Sequence, residues 1–286
     1  MFERDGYPPS VPCWVDTAQP DPVAATEFYG ALFGWEFEDR MPAGAGGHYF
    51  VAKLRGRDVA AVGSRPQETD STPVWNTYIW VESADDAAAE AKDAGGTVLV
   101  EPFDVLDAGR MAVLADPSGA VFSVWQANEH KGAQLVNEAG TWNWSDLNTR
   151  DLDGSKAFYG ALFGWEAQSV KVGEFDGTMW RLPGYAEVLE ALEPGLRLRQ
   201  AEHGAPVGFE DAIGWMIPMT SGQSAEDAPP YWSVTFAVDG TDAIADQAAQ
   251  LGGTIIVAPF DAGPVRVAVL SDPQGAIFSV NTFDPR

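Results

Sequence analysis

The string Phe28-Tyr29-Gly30-Ala31-Leu32-Phe33-Gly34-Trp35-Glu36 returns letter for letter as Phe158-Tyr159-Gly160-Ala161-Leu162-Phe163-Gly164-Trp165-Glu166. Two further blocks repeat in the same order. Gly95-Gly96-Thr97-Val98-Leu99-Val100-Glu101-Pro102-Phe103-Asp104 matches Gly252 to Asp261, and Asp116-Pro117-Ser118-Gly119-Ala120-Val121-Phe122-Ser123-Val124 matches Asp272 to Val280. Three ordered matches identify a tandem duplication, so whatever one half folds into, the other must fold into as well. The offset between copies is 130 at the first block, 157 at the second and 156 at the third. The second half therefore carries a net insertion, which falls near 183–211, a Gly/Glu/Arg-rich stretch without strand alternation.

Each half divides once more. Asp21-Pro22 supplies an N-cap and a first-turn proline for a helix through Phe33, and Gly34 suits its stop. Val23, Phe28 and Leu32 fall near one face of that helix, and Asp151 starts its counterpart. Ser83, with Asp86 three residues on, caps a second helix ending at Gly95, and Asp239 is expected to do the same before Gly252. Short strands surround the helices: Val11–Asp16, then Tyr49–Leu54 and Val59–Val62; Asn76–Val81, then Thr97–Glu101, Ala112–Leu114 and Val121–Trp125. Strict alternation in Asn76-Thr77-Tyr78-Ile79-Trp80-Val81 separates an Asn/Tyr/Trp face from a Thr/Ile/Val face. The predicted pattern is β-α-β-β-β, twice per half.

A chain of 286 residues with 45% hydrophobic and 12% aromatic content can bury two ordinary cores, which excludes wholesale disorder. Forty-two acidic against 17 basic residues give a net charge of −25, which repels nucleic acid and anionic membranes alike. The single cysteine, Cys13, rules out an intrachain disulfide and a thiolate metal cluster. Neither a signal-peptide pattern at the start nor an apolar run of membrane-spanning length is visible, so a cytoplasmic protein is expected.

Paired β-α-β-β-β modules carrying FY-x-x-(L/F)-F-G-W, A-G-G and D-P-x-G in this order resemble the vicinal oxygen chelate superfamily. That superfamily includes glyoxalase I, extradiol dioxygenases, and the fosfomycin and bleomycin resistance proteins. The resemblance covers about 11–128 and 141–283, and the tandem form is most similar to two-domain glyoxalase-like proteins of actinomycetes. It implies an α+β fold in which four βαβββ modules form two cup-shaped domains: a first domain over 1–128, a linker over 129–140, and a second domain over 141–286 with the insertion. Each cup would surround a ligand site.

The resemblance also locates the family's metal ligands, customarily His, Glu or Gln. Transferred by spacing, these positions hold Trp14, Asn76 and Ser123 in the first half and Trp144, Ser233 and Ser279 in the second, while the fourth lies in apolar sequence around Ala60–Val62 and Ile213–Met216. None is a customary ligand, so no metal cofactor is expected; a divalent ion would need ligands elsewhere. The histidines offer no repair: His48 stands in a Gly-rich approach to a strand, His130 in the linker and His203 in the insertion, each read as solvated or hydrogen-bonded. Period-2 geometry puts Asp16 beside Trp14 and Asp146 beside Trp144 on one strand face. These acids are either catalytic candidates inside a cup or edge residues bonded to backbone, and both readings stay open. Trp14, Tyr78, Trp80, Trp125, Trp144 and Trp232 are candidates for an aromatic ligand wall, with Asn76, Ser123, Ser233 and Ser279 as its hydrogen-bonding groups. Trp35 and Trp165 read as core, and D-P-x-G as turn chemistry.

The expected function is metal-independent binding of a small organic molecule, in sequestration, resistance or secondary metabolism, by a monomer or homodimer. The alternative is an enzyme of the superfamily, lactoylglutathione lyase-like or dioxygenase/hydroxylase-like. A third reading makes the insertion a partner-binding or cup-covering element.

Overall fold

A computed structural model describes residues 3–65, 72–172, 175–220 and 228–283. The first half runs β1 (Pro12–Gln19), α1 (Pro22–Phe33), β2 (Glu36–Asp39), β3 (Tyr49–Leu54), β4 (Arg57–Ser64), β5 (Trp75–Trp80), α2 (Ala84–Asp93), β6 (Thr97–Val105), β7 (Gly109–Ala115) and β8 (Val121–Ala127). The second half begins with β9 (Thr141–Thr149), α3 (Leu152–Phe163), β10 (Glu166–Val172), β11 (Phe175–Arg181), α4 (Tyr185–Leu192) and α5 (Leu196–Glu202). It continues with β12 (Ala212–Pro218), β13 (Tyr231–Ala237), α6 (Thr241–Gln250), β14 (Thr254–Ala262), β15 (Val265–Ser271) and β16 (Ile277–Phe283). The strands β2 and β10 were not expected from the sequence; their charged, mostly exposed residues carry no apolar alternation.

The caps act as local chemistry dictates. Asp21 accepts from the Ala24 amide at 3.0 Å, Ser83 from the Asp86 amide at 3.1 Å and Asp151 from the Gly154 amide at 2.9 Å. Gly34 and Gly164 stop their helices in the left-handed conformation, at φ 73° and 69°. Asp239 does not cap α6: the N-cap is Gly240, with no side-chain bond. Val23 is exposed, so the buried face of α1 is carried by Ala25, Phe28, Tyr29, Leu32 and Phe33.

Each half builds its own eight-stranded sheet, in the orders β2-β3-β4-β1-β5-β8-β7-β6 and β10-β11-β12-β9-β13-β16-β15-β14. The first strands of the two modules pair antiparallel, β1 with β5 and β9 with β13, so modules join within a half. The faces turned away from the cups meet in the middle of the molecule, where Thr77 of β5 donates to Ser145 of β9 at 2.8 Å.

The repeated motifs interlock across the halves. The Tyr29 hydroxyl donates to Asp272 at 2.9 Å, and the Tyr159 hydroxyl to Asp116 at 3.2 Å. Trp75 and Trp232 donate in turn to these tyrosine oxygens. The D-P-x-G aspartates also receive the amides of their own turns, Ala120 on Asp116 and Ala276 on Asp272. Their turn role is therefore joined by a second one. Phe28 packs on Phe278 and Phe158 on Phe122, so one buried core is continuous through both halves. The second glycine of each A-G-G block makes room for this. A Cβ on Gly96 would lie 2.7 Å from the Phe158 ring, and one on Gly253 would lie 3.3 Å from the Phe28 ring and 2.6 Å from the Ser271 carbonyl.

The insertion replaces the tight Arg55-Gly56 turn of the first half with α4, α5 and a short 3-10 turn over Phe209–Asp211. Its return is latched by Arg181, which donates to Asp211 at 3.0 Å and to the Gly208 carbonyl at 3.1 Å.

Candidate functional site

Alternation along β1 aims Trp14 and Asp16 into the first cup, and the same alternation along β5 aims Asn76, Tyr78 and Trp80 there. Ser123 and Trp125 continue the surface from β8. The space between them is occupied by their own side chains. Trp14, Asp16, Tyr78, Ser123 and Trp125 are all buried. The Asp16 carboxylate accepts from Asn76 Nδ2 at 2.8 Å, the Tyr78 hydroxyl at 2.8 Å and the Tyr49 hydroxyl at 3.0 Å. Tyr49 in turn accepts from Trp14 Nε1 at 3.1 Å. Burial pushes the Asp16 pKa up and the three donors pull against it. The His130 ring closes the cup from the connection between the halves, 4.3 Å from Trp14 and 5.8 Å from Trp125.

His130 differs from its expected solvated or bonded state. Its Nε2 is buried without a hydrogen-bond partner, and burial, then nearby Arg40, lower its pKa to about 4. His48 is bonded to Asp39 at 2.6 Å, and the His203 ring lies 5.8 Å from Phe283. Tyr49 and His130 seal this cup; sequence reasoning missed Tyr49 and misread His130, because neither lies on a repeated motif.

The second cup has the same strands and different contents. Strand register sets the equivalences. Ala61 stands beside Asp16 and Trp215 beside Asp146; Val51 and Met179 follow on the next strand, which brings Tyr49 and Gly177 into the same place. Asn76, Tyr78 and Trp125 correspond to Ser233, Thr235 and Asn281. Four large or amide side chains thus become a hydrogen, two hydroxyls and a smaller amide. Trp144, Asp146, Ser233 and Ser279 are only partly buried, as are Val267 and Val269, which stand beside Asn281 and Ser279 on β15. Phe209 of the insertion lies 5.9 Å from the Trp144 ring and 6.5 Å from Trp215. Trp232 does not belong here. It is buried on the opposite face of β13, bonded to Tyr159 in the core.

Asp146 has little help. Its Oδ1 accepts from the Trp215 amide at 3.1 Å, and its backbone carbonyl takes the Ser233 hydroxyl at 3.2 Å. Burial raises its pKa to about 7, opposed only by that one amide. Asn148 donates to Ser233 at 2.9 Å, completing the polar floor.

Among the described residues no three His, Cys, Asp or Glu side chains gather in one place. The family's ligand positions hold indoles, hydroxyls and an amide, Asp16 is consumed by three neutral donors, and Asp146 is the one acid among the described residues on the floor of its cup. Transition-metal sites are built from several anionic or imidazole ligands, so this set does not fit one.

Comparison with known proteins supplies the lineage. The model of the Glyoxalase/Bleomycin resistance protein/Dioxygenase superfamily matches residues 14–124 and 141–280. The provisionally named glyoxylase CFP32 of Mycobacterium tuberculosis is 40% identical over 283 residues, covering 98% of this chain and 97% of its own. The anthracycline biosynthesis protein DauV of Streptomyces sp. (strain C5) is 33% identical over 288 residues, covering 96% and 94%. Among solved structures, the Mn(II)-bound glyoxalase from Novosphingobium aromaticivorans matches with TM-score 0.60 and 17% identity, covering 100% of this chain and 85% of that one. The 2,3-dioxygenase LapB from Pseudomonas sp. KL28 matches at 0.59 and 12%, covering 96% and 93%. At such identities these structures attest to the fold alone. No helix among the described residues is long and apolar enough to cross a membrane.

Proposed function

The chain belongs to the glyoxalase/bleomycin resistance protein/dioxygenase superfamily, and from that premise we propose that it is a metal-independent binder of a planar organic molecule, working through its second cup. The observation that carries this reading is the divergence of the two cups. One is filled by Tyr49, Tyr78, Trp125 and His130; the other replaces the first three with Gly177, Thr235 and Asn281 and keeps an aromatic wall. A concave surface with a few convergent polar groups between aromatic and aliphatic walls is the usual make-up of an organic-ligand site. Stacking on Trp144 and Trp215 against Val267 and Val269 favours a flat ring system. The name of the anthracycline biosynthesis relative supports a polycyclic aromatic and a place in secondary metabolism.

The test is titration with a neutral hydroxyanthraquinone, followed by tryptophan fluorescence in the presence of a chelator. One molecule should bind per chain, and Gly177→Tyr, which rebuilds the plug of the first cup, should weaken binding at least about tenfold. Binding unaffected by Gly177→Tyr would refute the second cup as the site. An enzymatic reading, lyase-like or dioxygenase-like, has one favourable observation, an acid in the cup with a pKa of about 7. Stoichiometric metal that is lost on replacing Asp146, together with turnover of a hemithioacetal, would establish that reading instead.

A further inference from the structure

Oδ2 of Asp146 has no partner among the described residues, in a cup whose other polar groups are neutral. The charged pair that latches the insertion, Arg181 and Asp211, is closed on itself at 3.0 Å, and Arg181 donates besides to the Gly208 carbonyl and to Gln168. Tyr231, across from Asn148 on β13, is a neutral phenol whose pKa burial raises further. Among the described residues no Lys, Arg or His forms an ion pair with Asp146. A desolvated carboxylate without a countercharge is costly, and it is relieved by a proton or by a cation brought from outside.

The walls point the same way. Trp144, Trp215 and Phe209 make an aromatic corner beside the acid, with ring separations of 5.9 Å and 6.5 Å. Aromatic faces attract cations, most strongly those of tryptophan. The net charge of −25 concentrates cations around the molecule and repels anions. The first cup provides the contrast: the equivalent acid, Asp16, is answered by three donors from the chain itself. The second cup has given those donors up and kept the acid.

We propose that the molecule held by the second cup is a planar organic cation, and that Asp146 is the residue that pairs with its charge. This rests on the second cup being the ligand site. The positive group would sit at Oδ2, with the ring system lying along Trp144 and Trp215. Ser233 and Ser279 hydrogen-bond its periphery. Neutral ring systems bind by stacking alone, and anions are turned away.

The experiment compares proflavine, a planar cation, with anthraquinone-2-sulfonate, a planar anion, on wild type, Asp146→Asn and Gly177→Tyr, with circular dichroism to verify folding. Proflavine should bind wild type at least about tenfold more tightly than Asp146→Asn does, one charge pair's worth of affinity in a partly desolvated site. Between about pH 5.5 and about pH 8.5 its affinity for wild type should rise as Asp146 ionises, and Asp146→Asn should be flat. The anion should bind wild type weakly and gain on Asp146→Asn. If both probes bind, are displaced by Gly177→Tyr, and ignore Asp146→Asn, the charge assignment is overturned while the second cup stands. If proflavine binds and ignores Gly177→Tyr, the cup itself is overturned along with it.

Discussion

Replacing Asp146 by asparagine should stabilise the protein at alkaline pH, which is unusual for a polar residue inside a fold. The folded protein holds this carboxyl near pKa 7, against an ordinary value of 3.8. An acid with a raised folded-state pKa binds its proton more tightly in the folded chain. The folded state is therefore favoured below about pH 4, loses stability as pH climbs from about 4 to about 7, and stays penalised above that. At about 1.4 kcal/mol per pH unit, the gap sets a ceiling of about 4 kcal/mol, which water reaching the partly exposed carboxyl lowers. Asparagine keeps the acceptor for the Trp215 amide and carries no charge. Urea unfolding at about pH 5 and about pH 8, monitored by tryptophan fluorescence, reads the effect. Wild type should lose about 1–3 kcal/mol more than Asp146→Asn between the two conditions. Equal losses would show that the acid is already answered by a partner, and the argument from its isolation would fall.

Three further substitutions test the interlock. Gly96→Ala should destabilise by about 2 kcal/mol, because its Cβ would meet the Phe158 ring at 2.7 Å and the Ala115 carbonyl at 2.8 Å, neither free to retreat; a midpoint of urea unfolding equal to wild type would contradict it. Tyr29→Phe should cost about 1–2 kcal/mol, since Trp75 loses its acceptor and Asp272 keeps only Gln19 among its side-chain donors. Tyr159→Phe should match it through Trp232 and Asp116, measured in the same way.

The four modules were legible because their motifs obey local rules. Asp21, Ser83 and Asp151 cap helices whatever lies around them, and alternation in Asn76–Val81 sorts its faces without tertiary information. Asp239 misled, since Gly240 one residue later meets the geometry of the helix start. Period-2 spacing made it legible that Trp14 shares a strand face with Asp16, and Trp144 with Asp146; whether that face lines a cup or an edge was not legible from spacing. What period 2 does not reveal is which partner answers which acid. Tyr49 reaches Asp16 from a strand 33 residues away, and its counterpart, Gly177, gives no signal except by register. Trp232 was misjudged because proximity in sequence to Ser233 says nothing of face. The pairing of Tyr29 with Asp272 lies between motifs that each looked complete alone: a helix anchor and a turn.

The crossed tyrosine–aspartate bonds bear on how such a molecule can change over time. Two identical subunits joined by the same contacts would be bound to keep identical sites, since every substitution appears twice. Written as one chain, the assembly keeps the symmetric clasp and drops the symmetric obligation. One side could be filled with tyrosine, tryptophan and histidine and serve as ballast, while the other shed bulk and left its acid uncovered. The contacts that weld the halves together are what release them from having to be alike.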